Sequence, residues 1–108
     1  MTLDDLRTEL IVDGIDGEKL DMLRPSIQEQ AKRFTFDEIN EREEGDEAYS
    51  GRVQGNVTKD YAIEALNRVF GEERFKLAER VRRNLQDFAV TVATAVVSAE
   101  VNDLMRRF

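Results

Sequence analysis

Histidine and cysteine are both absent from the 108 residues, which removes most side-chain chemistry at once. Ordinary zinc sites need those ligands. Ser–His and Cys–His nucleophilic systems cannot be assembled, and a di-iron bundle would lack its Glu-x-x-His pairs. What remains is carboxylate chemistry from 23 Asp and Glu residues. The densest run is Glu38, Glu41, Glu43, Glu44, Asp46 and Glu47. Such a run can hold a divalent cation or meet a basic partner, but more often it is a solvated face. Asp13–Arg24 has the length of an EF-hand loop, yet Ile15 and Arg24 stand at its third and twelfth positions, where oxygen ligands are required. Gly51-Arg52-Val53-Gln54-Gly55 has two glycines without the Gly-Lys-Ser/Thr of a phosphate loop. No carboxylate pair stands out, so the expectation is a protein that is not an enzyme. That expectation includes no catalytic residue, no metal, no cofactor and no small-molecule substrate.

The elements that carry these side chains follow from composition and period. With 41% hydrophobic and 36% charged residues, the chain can form a core and still keep well-solvated faces, as helical proteins do. The length fits one domain spanning residues 1–108. The net charge of −7 is unevenly placed, with residues 1–50 at net −9 and residues 51–108 at net +2. An acidic half argues against direct nucleic-acid binding, which rests on neutralising phosphates. It suits a basic protein surface, head-to-tail packing between subunits, or plain solvation. The acidic start Met1–Asp5 has no apolar stretch of the kind that targets secretion, so the expected location is cytoplasmic, or the virion if the source is a phage.

Thr2 is a good N-cap for a first helix with Leu3, Leu6, Leu10 and Ile11 on its stripe, stopped by Val12-Asp13-Gly14. Asp16 caps a second, whose stripe of Leu20, Leu23, Ile27, Ala31 and Phe34 keeps phase across Pro25, so a kink or short break is expected there. Thr35-Phe36-Asp37-Glu38 reads as a capping box opening a short acidic third helix that ends near Gly45. From Gly45 to Val57 no periodicity survives. That stretch reads as an irregular loop, or a small hairpin around Tyr49–Val57, with Tyr49, Arg52 and Val53 as candidate contact residues. Thr58 is placed to cap a fourth helix with Ala62, Ile63, Leu66, Val69 and Phe70 inward, and Gly71 ends it.

The last third, about residues 72–107, reads as one long helix without glycine or proline. Its Val/Thr run would favour a strand by composition. Two stripes at helical spacing outweigh that: Ala78, Val81, Leu85, Phe88, Val92, Ala95 and Ala99, and the polar line Asp87, Thr91, Thr94, Ser98 and Asn102. Glu72–Lys76, Glu79–Arg83 and Asp103–Arg107 place an acid four residues before a base, which supports a helix. At roughly 1.5 Å per residue such a helix is about 54 Å long, more than a compact chain of this size spans. Residues 88–101 are apolar on most of their circumference, so something must cover them: the chain itself, a neighbouring copy or a partner. Val81, Leu85, Phe88, Val92, Val96 and Ala99 are the candidate interface residues. The apolar run falls short of the ~20 residues of a membrane span.

Leu3-x-x-Leu6-Arg7-x-x-Leu10-x-Val12-Asp13, then Asp16, Leu20, Leu23, Ile27 and Ala31, with Tyr49-x-Gly51-Arg52 later, resembles the small head–tail connector (adaptor) proteins of tailed phages. The resemblance covers residues 3–52. It implies a mostly helical chain that assembles as a ring beneath a portal, making contacts through the segment near Tyr49–Val57 and the chain ends. The expectation is thus an all-α bundle of four to five helices in a non-enzymatic assembly protein, a homo-oligomer or part of a larger complex. The alternative is a small acidic helical regulator or inhibitor that docks on a basic surface. Binding that weakens with salt would mark the latter.

Overall fold

In a computed structural model of the chain, helices account for the described backbone apart from short connections, and no strand occurs among the described residues. The structure describes residues 2–42 and 47–107, and the side chains of residues 2–33, 57–103 and 106. Four α-helices run in order: α1 (Leu3–Val12), α2 (Gly17–Arg42), α3 (Glu47–Phe70) and α4 (Glu79–Arg107), with a 3-10 segment, Gly71–Lys76, before the last. The all-α bundle with a long C-terminal helix is therefore as expected. Helices α2, α3 and α4 pack on one another along their lengths, while α1 lies mainly on α4 and touches α2 little. The molecule is a rod of 46 × 22 × 22 Å. A helix of 29 residues is about 44 Å long, so α4 runs the whole rod without projecting from it.

Local signals explain the first turns. The N–H of Asp5 donates to the Thr2 hydroxyl, and the Thr2 N–H donates back to the Asp5 carboxylate, both at 3.2 Å, a full capping box. At the other end of α1, Gly14 takes φ +98°. Its N–H donates to the Ile11 carbonyl and that of Ile15 to the Leu10 carbonyl, each at 3.0 Å. This is a Schellman ending, and Ile15 packs into the core with Leu10 as that motif favours. Asp16 then caps α2, accepting from the Glu18 N–H at 2.9 Å.

Three boundaries differ from expectation. First, α2 continues through Pro25 and past Thr35 to Arg42, so the short third helix is part of α2, and the side chains of its capping box lie outside the described residues. Proline removes one intrahelical donor but does not forbid a helix that tertiary packing holds. Second, residues 47–57 of the expected 45–57 loop are helical, as the start of α3, and Thr58 lies inside that helix rather than capping it; residues 45–46 fall outside the described residues. Gly51 and Gly55 each weaken a helix by about 1 kcal/mol, a local cost that a long helix docked on two others absorbs. Third, the long helix begins at Glu79 and not at residue 72. Gly71 turns at φ +60°, the 3-10 segment follows, and Leu77 is extended at ψ 150°. The reason is topological: Phe70 is buried, and the chain must reverse there to lay α4 antiparallel to α3. A helix straight on from Gly71 would leave the bundle. Glu72 and Lys76 thus lose their helical spacing, while Glu79–Arg83 forms at 2.6 Å.

The core is one cluster: Leu10 of α1 and Ile15 after it, Leu20, Leu23, Ile27 and Ala31 from α2, Ala62, Ala65, Leu66 and Phe70 from α3, and the inward face of α4, including Val81, Leu85, Phe88, Val92, Val97 and Val101. Ala62, Ala65, Ala89 and Ala93 are fully buried, and side chains that small let the backbones of α3 and α4 approach closely. Polar residues intrude at Gln30 and Thr58. The Gln30 amide nitrogen reaches the Ser26 carbonyl at 3.4 Å, but its Oε1 and the Ser26 hydroxyl have no partner.

Candidate functional site

Val81, Leu85, Phe88, Val92 and Val96, five of the six candidate interface residues, are between 1% and 8% exposed and belong to the chain's own core. Ala99 is exposed, as are Ala78 and Ala95. The expected seam thus holds from Val81 to Val92 and then shifts to Val96, Val97 and Val101. A straight helix drifts about 20° per heptad against a 3.5-residue repeat. Here α4 also has neighbours on two sides, so its buried face is two lines broad. The polar line of Asp87, Thr91, Thr94 and Asn102 faces outward. The Thr91 and Thr94 hydroxyls donate to their own helix, to the Asp87 and Val90 carbonyls at 2.7 and 2.8 Å. The side chains of Tyr49, Arg52 and Val53 lie outside the described residues; their backbone is helical.

Among the described residues, the exposed large apolar side chains other than Met22 of α2 gather at one end of the rod. Val12 is 80% exposed, Phe75 58% and Ile11 41%. Val12 and Ile11 close α1, and Phe75 sits in the 3-10 segment, so both belong to the end where the α1–α2 turn meets the α3–α4 reversal. Between these turns lies a cleft of about 170 Å³ lined by Ile15, Lys19, Phe70, Glu73, Arg74 and Leu77, among others. Lys19 ties it together, its ammonium 3.3 Å from Glu73 and 5.8 Å from the centre of the Phe70 ring. The Arg74 guanidinium stacks over Phe75 at 4.5 Å, and its Nε is buried without a partner. Phe75 is therefore held outward on a charged support. Sequence alone places Ile11 on the α1 stripe and Val12 in the Val12-Asp13-Gly14 stop, and it gives Phe75 no role. The signal for Val12 was present: it falls two residues after Leu10, on the face opposite Leu3, Leu6 and Leu10.

Helix α1 crosses the bundle beside this end. Only Leu10 of α1 is fully buried, with Leu3 and Leu6 partly so. Arg7 forks onto Asp21 with two 3.1 Å hydrogen bonds, and Arg80 forks onto Asp13 at 3.1 and 3.3 Å, with Glu9 4.0 Å away. These hydrogen bonds, and then the carboxylate charges, push both guanidinium pKa values further up. A raised pKa contributes fully below the ordinary arginine range and fades only above it, so these two guanidiniums bring no titration near neutrality. The Arg7–Asp21 fork is exposed on both sides and adds little, whereas in the Arg80 fork Asp13 is only 18% exposed. Burying Leu10 contributes about 1.5–3 kcal/mol, so α1 is lightly held. Beneath its N-terminal half a groove of about 550 Å³ stays open, floored by Leu20, Phe88 and Val92, walled by Leu3 and Pro25, and rimmed by Asp4, Arg7, Asp21 and Arg24. The rim is charge-balanced and offers no nucleophile beside a base. Among the described residues, no group of three acidic side chains is arranged to hold a metal ion, and no helix is long and apolar enough to cross a membrane. No family model matches the chain, and neither does a curated protein or a solved structure.

Proposed function

We propose that this chain is a non-enzymatic assembly protein that associates with copies of itself or with a protein partner through the end of the rod that carries Val12, Ile11 and Phe75. The observation that carries this reading is the exposure of those three large apolar side chains at one end of a molecule whose other described large apolar residues, Met22 apart, are at least partly buried. Single exposed apolar residues need no explanation, but several brought to one end by separate elements mark an interaction surface. Phe75 stacked on Arg74 has the composition of interface anchors, where aromatic residues and arginine are enriched. The resemblance of residues 3–52 to tailed-phage connectors makes a ring component of a virion neck the most specific form of this reading.

Light scattering after gel filtration tests it. At high micromolar concentration the chain is expected to show a mass that is a multiple of 12.4 kDa. Val12→Asp together with Phe75→Asp is expected to return it to monomer with little change in melting temperature, because both side chains already face water. A wild-type monomer at every concentration would count against self-association, and unchanged assembly by the double variant would count against this surface.

A further inference from the structure

The cleft between the two turns is lined by four charged side chains, Asp16, Lys19, Glu73 and Arg74. Three of them are engaged within the chain. The Asp16 carboxylate accepts the Glu18 N–H at 2.9 Å, and Lys19 pairs with Glu73 at 3.3 Å. Arg74 is the exception: its guanidinium has no hydrogen-bond or ion-pair partner among the described residues, although its Nε is buried. A cationic donor withdrawn from water without an acceptor is costly, and such groups in folded proteins normally have one. The position of Arg74 is nevertheless fixed. The Leu77 N–H donates to its carbonyl at 3.3 Å, and its guanidinium lies 4.5 Å over the Phe75 ring. Stacking uses the flat face and leaves the N–H edge, a fork whose geometry matches a carboxylate.

We infer that this end of the rod takes an Asp or Glu side chain from a segment of a different protein, its carboxylate on the Arg74 fork and a neighbouring large apolar side chain against Phe75. This rests on the reading of that end as the contact surface and names the partner's chemistry. At about 170 Å³ the cleft is smaller than the roughly 300–1,000 Å³ of small-molecule sites, so it suits one side chain better than a free ligand. Exposed Ile11, Val12 and Phe75 beside it supply the apolar contact. A second copy of this chain fits less well. Among the described residues, the acids next in sequence to an exposed large apolar residue are Asp13, after Val12, and Asp21, before Met22. Both are already forked, by Arg80 and by Arg7. Copies meeting at this end leave Arg74 unmatched, which keeps their association weak, whereas an acidic partner satisfies it.

NMR titration of the isotope-labelled full chain with the capped peptide acetyl-Leu-Glu-Phe-amide tests this. The Arg74 Nε–H signal and the amides of residues 11–16 and 70–77 are expected to move. Acetyl-Leu-Gln-Phe-amide is expected to bind about tenfold more weakly, the worth of one hydrogen bond between charged groups. Arg74→Gln is expected to remove that preference, and Arg74→Lys, which keeps the charge without the fork, to retain part of it. Should either variant fail to fold, the two peptides on the native chain decide alone. Equal binding of both at this end would overturn the carboxylate site and leave the contact surface standing. A preference that survives Arg74→Gln would overturn the role of Arg74. No movement of these signals at millimolar peptide would also overturn the inference, and the mass in light scattering would then judge the contact surface by itself.

Discussion

Val92→Asp is expected to cost more than ~4 kcal/mol and to leave little folded protein at 37 °C. Val92 is 3% exposed and packs in the cluster shared by α2, α3 and α4. A carboxylate placed there either stays charged without a partner or takes up a proton, and each route draws on stability. A domain of this size has roughly 5–15 kcal/mol in all, so one such change removes a large share. Thr91→Asp, one residue away on the exposed line, is expected to stay within about 0.5 kcal/mol. Urea denaturation of the pair checks both at once. Comparable stability for the two variants would mean that the inward and outward faces of α4 are misassigned.

Phe88→Ala follows with about 3–5 kcal/mol, a fall in melting temperature of more than ~10 °C. Phe88 is 4% exposed and also floors the open groove under α1. The groove already leaves room on that side, and α1 is lightly held, so part of the void can be relieved by α1 moving inward. The expected signature is therefore double: a lower unfolding midpoint, and faster amide exchange across residues 3–12 than across α3. Loss confined to global stability, with α1 protected as before, would show that Phe88 supports the three long helices without supporting α1.

Local chemistry made some of this architecture readable from the chain. Thr2, Gly14 and Asp16 act through hydrogen bonds to residues at most five positions away, so their roles do not depend on the rest of the fold. The inward positions from Val81 to Val92 were readable for a similar reason, since a helix repeats its faces whatever it packs on. The break at Leu77 was not, because the acid–base spacing of residues 72–76 suits a helix, and only the reversal of the chain against α3 disallows one. Glycines at 51 and 55 misled in the opposite direction: they lower helix stability locally, but a helix docked along its length tolerates them. The place of the apolar half of α4 turned on shape. A sphere would have left a helix of that length projecting, whereas the 46 Å rod contains it. The candidate site was the least legible part. Exposure of Val12 and Phe75 depends on two turns, distant in sequence, meeting at one end of the rod.

The apolar half of α4 packs into this chain's own core. Hydrogen exchange of the amides from Phe88 to Val101, followed by mass spectrometry at low and at high micromolar concentration, tests this most directly. Protection close to that of global unfolding, and the same at both concentrations, is the predicted result. Fast exchange in dilute solution that slows as the chain is concentrated would contradict it.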